Sequence, residues 1–185
     1  MGPQQRLIQA LRQGRGPDAE SLEDYLSMAG QAAWNRLCDL ARMNPAQVGD
    51  EVVDILAPRS VEAPGSFTAL LLAIAAKDGA RRGRLVALCR ERLPLHPGPG
   101  LAAAGYNLHE FHSLLDPEWL ELAGRHFEQH PEGAWGILEA AAMYEQHLVK
   151  PEHVDAFEAR RGSMPRDYFV VMLSLAGHRP EEAPD

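Results

Sequence analysis

Four proline-marked helix starts, Asp116-Pro117-Glu118, His130-Pro131-Glu132, Lys150-Pro151-Glu152 and Met164-Pro165-Arg166, divide the stretch from Asp116 to Gly177. Proline is favoured at the first position of a helix, where its fixed φ fits and its missing N–H would have had no partner. The gaps between the four prolines are 14, 20 and 14 residues, so a pair of starts recurs after 34. Two helical hairpins in tandem account for that rhythm. The same period is not visible in the first half of the chain.

The apolar pattern on both sides agrees. Leu101, Ala104, Leu108, Phe111 and Leu115 recur at helical spacing. The helix expected from Pro117 to Gln129 buries Trp119, Leu122, Ala123 and Phe127, and the next uses Ala134, Ile137, Leu138, Ala141 and Leu148. Val154 and Phe157 follow Pro151. Phe67–Ala76 and Tyr168–Ala176 are apolar on nearly every side, which predicts two central helices surrounded by others. Upstream, Gly30 separates a helix carrying Leu22, Tyr25 and Leu26 from one carrying Ala33, Leu37, Leu40 and Ala41. Ser21-Leu22-Glu23-Asp24 reads as a capping box and Asn44-Pro45 as a helix start. Leu93 to Gly100 holds three prolines and two glycines and is expected to be a loop or hinge dividing two groups of helices.

The segment Pro131-Glu-Gly-Ala134-Trp135-Gly-Ile-Leu138 resembles the opening of a tetratricopeptide unit, whose length is also 34 residues. The resemblance covers fewer than ten residues and implies a stacked-hairpin surface, not membership of that family.

The expected fold is therefore all-α: one domain of about nine to ten helices over residues 1–178, packed as antiparallel hairpins, with a polar tail at 179–185. Alanine and leucine dominate the apolar residues and no alternating stretch predicts a strand. The longest apolar run is half the length needed to cross a bilayer, and the N-terminus lacks a signal core. Cys38 and Cys89 fall on apolar helix faces and are expected as reduced thiols. A soluble, cytoplasmic protein of bacterial type is the expectation.

Net charge is −8, which disfavours nucleic acid and anionic lipid and favours a basic protein partner. Glu118, Glu121, Glu128 and Glu132 recur along one side of the helix after Pro117 and are the candidate partner-binding residues. The arginines between Arg81 and Arg92 read as a solvated or ion-paired face. No Gly-x-Ser-x-Gly context, phosphate-cradling loop or activated cysteine is present, so no catalytic residue and no cofactor are assigned. The functional expectation is a non-enzymatic interaction module: an adaptor, regulator or small inhibitor of the immunity type. The alternative is a metal-binding helical protein or enzyme using His126 and His130, four apart on one expected helix, with Glu145 in reach. His109 and His112, three apart, form a second candidate pair.

Overall fold

The computed structural model describes residues 2–13, 16–150 and 153. Its helices are α1 (Pro3–Arg12), α2 (Ala19–Ala29), α3 (Gln31–Met43), α4 (Asp50–Leu56), α5 (Pro64–Lys77), α6 (Arg82–Arg92), α7 (Pro97–Glu110), α8 (Pro117–His126) and α9 (Pro131–Tyr144). Among the described residues there is no strand, so the fold is all-α, as the residue pattern requires. No described helix is long and apolar enough to cross a membrane. Val154, Phe157, the expected second central helix at Tyr168–Ala176 and the tail at 179–185 lie outside the described residues.

Three helices begin in the same way. Ala63, His96 and His130 each precede a proline and adopt φ between −149° and −137° with ψ between 60° and 70°. The following proline crowds the helical region for these residues, so the chain turns there and starts afresh. The helices that follow, α5, α7 and α9, are each 14 residues long.

This overturns the expected loop at 93–100. Leu93–Leu95 is a short 3-10 turn, and Pro97-Gly-Pro-Gly100 is the first turn of α7. Prolines 97 and 99 occupy first-turn positions whose N–H groups have no carbonyl within the helix to bond, so they cost the helix little. With Pro97 recognised as a start, α3, α5, α7 and α9 begin at 31, 64, 97 and 131, spaced by 33, 33 and 34 residues. The period therefore also runs through the first half.

These four helices lie parallel. Gln31 Nε2 donates to Ser66 Oγ near the starts of α3 and α5, and Lys77 Nζ donates to the Arg42 carbonyl near their ends. Gly65 approaches the carbonyl of Pro99 at the start of α7. A Cβ on Gly98 would meet the His130 ring, one on Gly133 would lie 2.6 Å from Leu101 Cβ, and one on Gly105 would lie 2.9 Å from Gly136 Cα. Thus α7 and α9 touch backbone to backbone, which side chains at Gly105 and Gly133 would prevent. The shorter α6 and α8 form a second layer, α6 on α5 and α8 on α9.

Helix α5 is central. Its side chains from Phe67 to Ala75 are buried except Ala69, among α3, α6 and α7. Trp34 and Phe67, each the fourth residue of its helix, meet edge to face with ring centres 6.3 Å apart.

Two local expectations shift. The cap of α2 is Asp18, whose carboxylate accepts from the Ser21 N–H at 2.9 Å and the Ser21 hydroxyl at 2.8 Å; Ser21 is buried inside the helix and opens no capping box. Asn44-Pro45 starts a 3-10 turn over Pro45–Gln47, and α4 begins only at Asp50. Val48, Val52 and Leu56 are nonetheless buried, as their spacing demands.

Candidate functional site

The acidic residues after Pro117 do not lie on one straight helix. Helix α8 ends at His126, and the pre-proline geometry of His130 starts α9 in a new direction. Glu118 and Glu121 stand on α8, Glu128 in the turn after it, and Glu132 in the first turn of α9. Glu118 is also neutralised: with Asp116 it holds the guanidinium of Arg90, which lies 4.7 Å from the centre of the Trp119 ring. Asp116 in addition caps α8, accepting from the Glu118 and Trp119 N–H groups at 3.0 and 3.3 Å. That corner is therefore a structural joint between α6 and α8. Glu121, Glu128 and Glu132 are exposed.

Arg81, which precedes α6, and the arginines of α6 are mostly ion-paired. Arg81 meets Asp50 at 2.7 Å, Arg84 meets Asp54 at 2.7 Å, and Arg82 Nε donates to the Ala75 carbonyl at 3.3 Å. They tie α6 to α4 and α5 and present no continuous basic face.

His126 and His130 are separated by the break between α8 and α9. They remain neighbours, with the His130 N–H bonded to the His126 carbonyl at 2.9 Å. Burial, together with the nearby His130 and Arg125, holds the His126 imidazole below its usual range. Glu145 lies instead between His112 and His147, with His112 Nδ1 at 3.9 Å and His147 Nδ1 at 3.6 Å. Among the described residues, no three His, Cys, Asp or Glu side chains converge to hold a metal ion. An open cleft of about 360 Å³ lies where α7 and α9 begin, lined by Gly98, Ala102, Gln129, His130 and Glu132.

The ends of the same two helices carry a different group. His109 Nε2 lies 3.5 Å from Glu139 Oε2 on α9. The ring of His112 stacks on Tyr144, centres 4.7 Å apart and planes within 17°, and His109 meets the same tyrosine edge-on at 6.1 Å. His112 is exposed in a 3-10 turn, not on the apolar face of α7. Tyr106, Met143 and Tyr144 are exposed. Burial raises the Glu139 carboxyl above the ordinary range, against the opposing pull of His109. Sequence reasoning singled out the two histidines but missed Tyr106, Glu139, Met143 and Tyr144. The available signal was Glu139, a single carboxylate inside the apolar run from Ala134 to Tyr144.

Both thiols are shielded. Burial pushes Cys38 up to about 11 and Cys89 up to about 12, where they are protonated and unreactive at neutral pH.

No protein-family model, curated protein or solved structure matches the chain.

Proposed function

We propose that this protein is a non-enzymatic interaction module whose partner is another protein, basic where it docks. The observation that carries this reading is the stack of α3, α5, α7 and α9, starting at 31, 64, 97 and 131. Stacked helical units of this kind expose long continuous surfaces suited to gripping a macromolecule. The net charge of −8 supports a cationic partner over nucleic acid or an acidic membrane surface. The exposed Glu121, Glu128 and Glu132 add to the negative field of this region, and Glu118 pairs with Arg90.

The test is kinetic. A partner captured from native cells should bind faster at low salt. Glu121→Lys combined with Glu128→Lys should slow association severalfold and flatten its salt dependence, with the helical circular dichroism unchanged. Partners that are acidic at their contact surface, or association that ignores both salt and the double reversal, would reject the reading.

A further inference from the structure

We propose that the face formed by the C-terminal halves of α7 and α9 is the contact surface for a lysine- or arginine-bearing segment of the partner, with Tyr106, Met143 and Tyr144 receiving its apolar neighbours. This rests on the interaction reading above and names the surface and the chemistry.

The first observation is exposure. Tyr106 is 72% exposed, Met143 47% and Tyr144 44%. They are three of seven large apolar side chains exposed among the described residues, and they share one pair of packed helices. Gly105 and Gly136 bring α7 and α9 into backbone contact next to the Tyr106 backbone, about two turns before Met143 and Tyr144. Aromatic side chains of this sort supply much contact area for little lost conformational freedom. Tyr144 is already held by stacking against His112, which reduces the entropy that binding must remove.

The second observation is charge. The charged and titratable groups paired around the ends of α7 and α9 are Arg42 from α3, His109 and Glu110 from α7, His112 from the following turn, Glu139 from α9, and Glu145 and His147 after it. Three are carboxylates and only Arg42 is a permanent cation. Arg42 is engaged with Asn107 Oδ1 at 2.9 Å and with Glu110 at 3.8 Å. Among the described residues, Glu139 is met by the His109 imidazole at 3.5 Å, and Glu145 by those of His112 and His147 at 3.9 and 3.6 Å. Negative charge among these groups therefore exceeds positive charge when the imidazoles are neutral, and Glu139 is partly removed from water with no guanidinium or ammonium paired to it among the described residues. An incoming cation would supply that compensation and could lie on a tyrosine ring as well. An acidic segment or a phosphate would meet repulsion.

The probe is an acetylated, amidated hexapeptide of alternating arginine and leucine, titrated into the isotope-labelled full chain and followed by amide chemical shifts. Shifts should concentrate around Tyr106, His109, Glu139 and Tyr144, and the glutamate–leucine analogue should produce none. Tyr106→Ala with Tyr144→Ala should weaken binding about tenfold, the size expected for truncated hot-spot aromatics. Glu139→Gln, which keeps the side-chain volume, should weaken it severalfold. Shifts confined to α8, or tyrosine variants that bind like the parent, would overturn the proposal. So would a dimer in sedimentation that Tyr106→Arg dissociates, because a second copy would then cover the face. With the native partner, face variants should speed dissociation, whereas Glu121→Lys with Glu128→Lys slows association. Slowed association with silent face variants would keep the interaction reading and reject this surface.

Discussion

Replacing Gly133 by alanine tests the stacking of α7 on α9 directly. The new Cβ would lie 2.6 Å from Leu101 Cβ and 2.8 Å from the Ala102 backbone nitrogen. Neither atom is the end of a flexible side chain, so relief requires the two helices to move apart by roughly an ångström along their tightest contact. Overpacking of this kind costs about 1–3 kcal/mol. The gain in helix propensity is small, because Gly133 is the third residue of α9 and the chain there is already held by Pro131. Gly124→Ala is the control: nothing lies within 4 Å of its Cβ, and it sits in the exposed part of α8. Only propensity acts there, worth up to about 1 kcal/mol in favour of alanine. In thermal unfolding followed by circular dichroism, Gly133→Ala should lower the midpoint by about 2–12 °C and Gly124→Ala should raise it by up to about 4 °C. A Gly133→Ala protein that melts at or above the parent would show that the two helix backbones are not in contact and would dismantle the parallel stack.

Asp18→Ala should cost about 1 kcal/mol in denaturant unfolding through loss of the α2 cap. The Ser21 N–H and hydroxyl hold the Asp18 carboxyl below its usual range, so its contribution is complete above about pH 4 and is lost as pH falls through the lower folded value. His126 acts in a higher window: its folded value is depressed by burial, so the folded chain resists taking up the proton. Stability should therefore be full above about pH 6.5 and decline as pH falls below it, a slope that His126→Gln should diminish. Cys89 should react with an aromatic disulfide reagent at pH 8 only after unfolding, since burial raises it to about 12; rapid labelling in the native state would contradict the packing of α6 on α5.

The all-α class, the central place of α5 and most helix starts could be read from the residues in order, because they depend on causes a few positions long. Proline sets φ for itself and restricts its predecessor, so Ala63-Pro64 and His130-Pro131 announce helices without reference to anything distant. The same local rule was present at His96-Pro97, but three prolines and two glycines in eight residues suggested a loop, and the regular spacing of the first helices was hidden with it. The starts at Gln31 and Asp50 carry no proline at all.

Only the tertiary structure decided what those helices do to one another. The parallel order of α3, α5, α7 and α9 follows from glycine contacts and polar pairs between residues about 30 positions apart, such as Gly105 with Gly136 and Gln31 with Ser66. Glu118 and Glu121 are alike in sequence, yet Arg90 reaches only the first, because α6 packs beside that end of α8. Glu139 is an ordinary carboxylate in the chain and becomes a partly buried one beside His109 only when α9 lies along α7. Backbone conformation answers to neighbours in sequence, whereas burial, charge pairing and close approach answer to neighbours in space.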